Sequence, residues 1–581
     1  MKIDLKNSKI DLANLWQAIG FIYQSDKRLF SARMILTIIQ SILPFALLYL
    51  LKVLIDEITD SVIHPNSLNL SFIWLYAGLF CGIFLLNRLS VILYQLLDEI
   101  LTQKLIDFIS NLLHKKSTEL DLAYYDNSAY HDTFHRAQQE ANYRPVQILN
   151  NLTGLISNSL SLVGIIIMLS VFSWVGIIIL IIAGMPSLWV RLIKSKKLYN
   201  WRKLNTPLFR KADYFSMLLT NRIYAKEVRT FNLAAHFREQ FDNIRKRLVK
   251  QILAITKKLA KLNMLSVIFE AVALMTIIYL LSNKAFTGAI TTGSFVMFFE
   301  AFRRGQGYVQ SLVSNFSGIY ENKLFLNNLF DFLRLQPQIK SPEKPIPFPE
   351  QIRQGIRFEN VSFSYPGTGK KVIRNFNLLA KPGEVTLIQG ENGWGKTTLI
   401  KLLCRLYECA EGAIYIDNID IKDFDIRELR KNISVIFQDF VKFDLTVREN
   451  ITLGDIENRN DIDMLEQASR LSSCKPVIEQ LPQRYNTILG KYFENGEELS
   501  MGQWQRIALA RTLYKESPVL VLDEPASWMD VKTKASFDRN LLSLKNDKIL
   551  LLISHSTNKK FEYMKIDSFT ESNNSKQLVF T

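Results

Sequence analysis

Long apolar runs set the pattern of the first 335 positions. From Pro145 to Val190 no charged side chain occurs in 46 residues. That length holds two helices of about 20 residues across a ~30 Å hydrocarbon core. Ser173, Gly184 and Pro186 fall inside or between them, and spanning helices tolerate such residues. Further apolar runs near 33–55, 70–95 and 262–282 bring the predicted spans to five, with this pair at about 148–170 and 174–193. The stretches 96–147 and 194–261 are amphipathic at helical spacing, as in LLDEILTQKLIDFISNLLHKK. A limb of about 25 residues would project roughly 37 Å beyond a membrane. Past position 340 the period changes. IRFENVSFSYP (356–366) alternates as a strand does, and VTLIQG and VLVLDEP are short apolar runs of strand length. Five prolines between Pro337 and Pro349 mark the join.

The second pattern carries recognisable chemistry. The strand-like VTLIQG leads into GENGWGKTTLIKLL, where Gly390, Gly395, Lys396 and Thr397 fit GxxxxGK[ST]. Glycines let backbone N–H groups wrap phosphate oxygens, and the helix that follows presents its positive end. Lys396 would reach the β- and γ-phosphates of ATP, and the Thr397 hydroxyl would coordinate Mg²⁺. Downstream, Asp523 closes an apolar strand and suits the Mg²⁺ shell. Glu524, next along, is the candidate general base for an attacking water. LSMGQWQRIALAR (499–511) offers Ser500, Gly502 and Gln503 ahead of a helix, a second phosphate contact that comes too late in the chain to be the same loop.

The order of these motifs resembles the ATP-binding cassette (ABC) transporters of exporter type, with membrane and nucleotide domains fused. Residues 390–397 resemble Walker A, 499–503 the signature LSGGQ, and Asp523–Glu524 Walker B with its glutamate. Tyr365 is similar to the aromatic that stacks on adenine, Gln438 to the Q-loop glutamine, SWMD (527–530) to the D-loop and His555 to the switch histidine. In the first half, AKEVRTFNL (225–233) resembles the second intracellular loop. The resemblance also places Asn392, Gly393 and Thr398 at the nucleotide, and Gln438 beside Thr397 and Asp523 at Mg²⁺. It implies a dimer that sandwiches two ATP molecules between the Walker A of one subunit and the signature of the other. The partner is a second copy or a related half-transporter. The tips near 120–140 and 213–233 would be coupling helices.

The expected architecture is therefore multi-domain. An all-α six-helix transmembrane domain (1–335) precedes a Pro-rich linker (336–355) and an α/β P-loop NTPase domain (356–581). The sixth span, 291–313, carries Glu300, Arg303 and Arg304, so hydropathy leaves it open. Parity requires it, because a basic N-terminus without a signal-peptide core stays cytoplasmic and so must the ATP-binding domain.

Charge sharpens this picture. The chain carries a net +16, which at first suggests nucleic acid or an anionic membrane surface. Yet residues 341–581 are neutral, with 33 basic and 33 acidic side chains, and residues 191–261 alone carry net +15. The predicted loop at 56–69 has Asp56, Glu57 and Asp60 and no lysine or arginine. That is the positive-inside asymmetry of a protein in the plasma or inner membrane, with no nucleic-acid partner. Four cysteines without a CxxC exclude a disulfide scaffold. His131 and His135 flank Asp132 at helical spacing and read as a surface helix rather than a metal site.

Ionisable groups within spans face a cavity or a partner. Arg88, Glu270, Glu300, Arg303 and Arg304 either line a polar cargo cavity or form internal Glu–Arg pairs. The expected function is ATP-driven export of a small peptide or amphipathic compound. Export of lipid or drug, import of a chelator complex and an ATP-regulated membrane protein without transport stand as alternatives. Three positions depart from the family. Trp394 either points outward or crowds the phosphate loop, Met501 replaces the first signature glycine, and Trp528 and Met529 enlarge the D-loop.

Overall fold

The apolar runs continue into the charged stretches beside them without a break in backbone hydrogen bonding, so the helices are far longer than a membrane is thick. The computed structural model describes residues 12–64, 70–126, 143–172, 174–390, 393–544 and 548–554. These divide into two compact units. One runs to Thr118 and resumes from Tyr143 to Leu335; the other takes Glu119 to Asp126 and the chain from Gln336 onward. His131 and His135 lie outside the described residues.

The first unit is helical: α1 (Leu12–Ser25), α2 (Lys27–Ile63), α3 (Leu70–Glu119), then α5 (Arg144–Phe172), α6 (Trp174–Thr220), α7 (Ala225–Thr230), α8 (Ala234–Phe286) and α9 (Thr292–Arg334). The short α4 (Leu122–Tyr125) belongs to the second unit. Among the described residues five helices are long and apolar enough to cross a membrane: α2, α3, α5, α6 and α8. The most apolar window of α3 has no buried residue at all. Leu79, Phe84, Leu89 and Leu93 stand exposed on it, a surface suited to lipid or to a protein partner rather than to water. At 43 residues α9 is long enough to span, but its ionic cluster keeps it from being apolar.

Where lipid is the solvent, helices gain little by burying apolar faces against each other, so small residues and polar bridges hold them. A Cβ on Gly154 of α5 would sit 2.5 Å from the Asn315 amide of α9, and one on Gly318 of α9 would sit 2.4 Å from the Asn151 amide of α5. The reversed order along the two helices is that of antiparallel neighbours. Arg33 of α2 is fully buried and ties three helices together. Its guanidinium pairs with Asp98 of α3 at 2.7 Å and donates to Tyr94 of α3 at 2.9 Å and to Asn150 of α5 at 2.8 Å. A buried cation persists only with such partners. At the other end of α2, the Asp56 carboxylate accepts from the Gly293 amide (2.7 Å) and the Thr291 hydroxyl (2.8 Å), joining α2 to the first turn of α9.

Among its described residues the second unit carries two four-stranded sheets. One is antiparallel in the order β2 (Lys371–Ala380), β1 (Ile356–Ser364), β4 (Glu411–Ile416), β5 (Ile419–Asp420). The other is parallel in the order β3 (Val385–Ile388), β8 (Ile549–Ile553), β7 (Val519–Asp523), β6 (Ile433–Ile436). Every residue of β7 and β8 is buried, which is why they read as continuous apolar runs rather than alternation. Helix α10 (Lys396–Leu403) follows β3. Then come α11 (Ile426–Lys431), α12 (Val447–Thr452), α13 (Ile462–Leu471), α14 (Lys475–Gln480), α15 (Met501–Tyr514) and α16 (Val531–Ser543). Trp504, 2% exposed, fills a second core formed by α12 to α15.

The α2–α9 junction gives a direct test. A Cβ on Gly293 would lie 2.2 Å from the Lys52 carbonyl oxygen, a backbone atom that cannot swing aside, whereas nothing lies within 4 Å of one on Gly78. Gly293→Ala should cost about 1–3 kcal/mol and lower the thermal unfolding midpoint in detergent, while Gly78→Ala should leave it unchanged.

Candidate nucleotide site

Strand β3 hands the chain to the glycine loop and α10. Gly393 and Gly395 have φ of 84° and 85°, a region open to glycine and strained for other residues. A Cβ on Gly395 would also press on Val372 at 3.0 Å. Lys396, 8% exposed, turns back so that its ammonium donates to the Gly390 carbonyl of its own loop at 2.6 Å. Burial holds its pKa below the usual lysine value, against the opposing pull of Glu524 and Asp523. Asn392 lies outside the described residues, as does His555.

The parallel sheet brings the acids to this loop. Asp523 ends β7 with 2% exposure and accepts from the Thr397 hydroxyl at 2.7 Å. Burial raises its carboxyl above the usual range, while the Thr397 hydrogen bond works the other way. Glu524 follows in a left-handed conformation, φ 49°, and its amide donates to the Ile553 carbonyl at 3.0 Å. That turn carries its carboxylate out of the sheet to meet the Gln438 amide at 3.2 Å. A cavity of about 310 Å³ results, lined by Tyr365, Lys396, Thr397, Gln438, Asp523 and Glu524 among others. Thr398 and Trp394 also line it. The Trp394 indole is half-buried and stands 3.8 Å from where a Cβ on Gly390 would be. It therefore lies over the loop, on the cavity wall.

Ser500, Gly502 and Gln503 do not line this cavity. Ser500 caps α15 in a reciprocal box with Gln503, at 3.3 and 2.8 Å. Gly502 is required by a neighbour, since a Cβ there would lie 2.4 Å from the Trp528 carbonyl. Met501 and Trp528 are 38% and 58% exposed on the same surface.

Two residues of this site escape the motif reading. Gln505, 2% exposed, donates to the Glu524 carbonyl (2.9 Å) and the Ser527 hydroxyl (3.1 Å) and accepts from the Trp528 amide (3.1 Å). It thus pins residues 527–528 and the backbone of Glu524 to α15. Tyr407 packs edge-on against Tyr365 with ring centres 5.3 Å apart, and its hydroxyl donates to Asp126. Burial, first, and then Asp126 push its phenol pKa well up. Around Asp126 the segment is fastened further. Asp121 accepts from the Gln338 amide at 2.6 Å, Tyr124 donates to the Gln336 carbonyl at 2.9 Å, and Leu122 and Ala123 pack on the core. The loop tip at 120–126 is built onto the nucleotide unit. Its signal in the sequence is only a DLAYYD run.

In the helical unit, Glu300 accepts from Arg303 at 2.8 and 2.7 Å and from Arg304 at 3.0 Å, a closed cluster within one helix turn. Glu270 accepts from Gln310 at 2.9 Å. Arg88 lies exposed on α3. The five residues do not form one group.

Residues 373–527 match the family model described as ABC transporter. The chain is 30% identical to the nisin transport ATP-binding protein of Lactococcus lactis subsp. lactis, covering 94% of this chain and 90% of that one. It is 29% identical to the subtilin transport ATP-binding protein of Bacillus subtilis, covering 95% and 89%. Its fold matches the structure of a bacterial Atm1-family ABC exporter with ATP bound at a TM-score of 0.75 and 19% identity, covering 91% of this chain and 92% of that one. With glycine loop, buried aspartate and adjacent glutamate around one cavity, and a helical unit of membrane-spanning length earlier in the sequence, the chain belongs to the ABC transporters and carries their ATP-binding domain.

Proposed function

We propose that this protein hydrolyses ATP to export a small peptide from the cytoplasm by alternating access. The Thr397–Asp523 and Gln438–Glu524 hydrogen bonds around one cavity carry the hydrolytic half of this reading. The relatives named for subtilin and nisin transport, matched over nearly their whole length, support the cargo class. Six spans are proposed, α9 being the sixth, with the N-terminus and the ATP-binding unit cytoplasmic. The net +15 of residues 191–261 supports that orientation. The working unit is a dimer of this chain. Ser500, Gly502 and Gln503, which stand away from the cavity of their own subunit, then face the nucleotide of the other.

Within each site Tyr365 stacks on adenine, and Gly390, Asn392, Gly393, Gly395 and Thr398 wrap the phosphates. Lys396 leaves its own loop carbonyl for the terminal phosphates. A hydroxyl and a carboxylate 2.7 Å apart make an all-oxygen donor set that suits Mg²⁺, so Thr397, Asp523 and Gln438 would hold the ion. Mg²⁺ supplies charge neutralisation at the phosphates. Glu524 accepts the proton of the attacking water, while His555 and Gln438 orient the transferred phosphate and the water.

Glu524→Gln should bind ATP as the wild type does and hydrolyse it about 100-fold or more slowly, as expected for loss of a general base. Equal, negligible ATPase activity of both in lipid would defeat the proposal. In vesicles with the ATP-binding unit outward, ATP should drive a labelled peptide inward; ATP-driven loss of preloaded peptide would mean import. Gln505→Ala removes three hydrogen bonds behind Glu524 and should lower kcat about tenfold with little change in KM, the pattern of lost transition-state alignment. A matched rise in KM would mean that Gln505 serves ATP binding instead.

A further inference from the structure

A second cavity lies within the helical unit, distinct from the charged positions that the sequence singles out. It measures about 410 Å³ and opens between the first turns of α5, the middle of α6 and the later part of α9. All eleven residues lining it are polar, charged or glycine. Lys194, Ser195 and the five lining residues of α9 lie just beyond the predicted spans, where a polar surface stays hydrated and meets a ligand arriving from water.

One of the lining residues carries a polar atom without a partner. Ser317 is 9% exposed and lines the cavity, while its hydroxyl oxygen is covered by the wall and makes no hydrogen bond. Ser195 and Asn322 are buried beside it, at 6% and 2% exposure. Arg191 and Lys194 stand three apart on α6 and so share a face. Arg191 is braced by one bond to the Gln310 carbonyl at 3.2 Å, which fixes the guanidinium and leaves further donors. Glu321 accepts from Ser195 at 3.4 Å. Two cations against one anion leave the cavity a single net positive charge. The wall itself is stiff. Arg33 holds Asn150 from behind, and Gly318 lets the Asn151 amide approach.

We infer that this cavity binds the C-terminal carboxylate of the exported peptide. The inference rests on the export reading above and extends it to the part of the cargo that is recognised. Arg191 and Lys194 take the carboxylate oxygens, and Glu321 accepts a backbone N–H of the last residues. A guanidinium and an ammonium together suit a carboxylate through paired, charge-assisted hydrogen bonds. The net charge of the cavity equals and opposes that of the group. In the proposed orientation this is the cytoplasmic end of the spans, where cargo enters.

The full-length protein in lipid nanodiscs tests this with two probes, N-dansyl-tetraalanine with a free C-terminus and the same peptide as its C-terminal amide. Fluorescence anisotropy should show the acid bound at least about tenfold more tightly than the amide by the wild type. The preference should vanish in the double variant Arg191→Gln, Lys194→Gln. Because Arg191 also braces α9, Lys194→Gln alone is measured too. Its side chain is exposed, and it should cut the preference about threefold with the unfolding midpoint unchanged. Glu321→Gln should keep or increase the preference. Equal binding of acid and amide by the wild type, no binding of either, or a preference that survives the double variant would each overturn the inference. ATPase activity in the same nanodiscs is read separately. An inactive wild type that still prefers the acid would sink the export reading and leave the carboxylate site standing.

Discussion

The register of three parallel strands governs the nucleotide unit. Ile388 at the end of β3 pairs with Ile553 of β8, and Ile553 pairs with Asp523 of β7. Three strands therefore end level, and the loops that leave them emerge from one edge. The glycine loop and the acidic pair meet there because the sheet stops them together. A one-residue slip would turn Asp523 to the opposite face and break its contact with Thr397. Both faces of β7 and β8 are packed, so a slip is opposed by the fit of side chains of different size rather than by exposure of apolar surface. Hydrophobic packing some distance from the chemistry thus fixes where a buried carboxylate sits.

The helical unit solves a different problem. Lipid competes on equal terms for its apolar faces, so contact between helices is set by shape and by polar bridges. The reciprocal glycine–asparagine contacts of α5 and α9, the Arg33 hub and the Asp56 clasp on Gly293 do this work. The same polar vocabulary, left partly unpaired, builds a cavity. Ser317 differs from a bridging serine only in lacking a partner.

The sequence makes legible whatever depends on neighbours in the chain. The glycine loop, the apolar strand before Asp523 and the uncharged run after Pro145 are local patterns with direct physical readings. The Glu300–Arg303–Arg304 cluster is also local, since its spacing is that of a helix turn. What escaped are residues whose partners lie far along the chain. Gln505 meets Glu524 and Trp528, and Tyr407 meets Asp126, 281 positions away. Nothing in a glutamine or a tyrosine announces such a partner. The polar cavity escaped for the same reason. Its residues come from three helices, and each alone reads as an ordinary polar position near the end of a span. Hydropathy leaves α9 open because it counts Glu300, Arg303 and Arg304 as three separate charges, whereas in the structure they are hydrogen-bonded to one another.

Glu524 holds a left-handed backbone with a side chain that does not favour it. Such a residue stores about 1–3 kcal/mol of strain, and folding by itself would favour glycine or asparagine at this point. The surrounding network, Gln505 behind and Ile553 beside, over-determines the turn and keeps the strain from relaxing. Stability and chemistry therefore pull this position in opposite directions. A lineage that lost the need to hydrolyse ATP would gain stability by changing this residue first, so the glutamate is the place in the fold where disuse would show earliest.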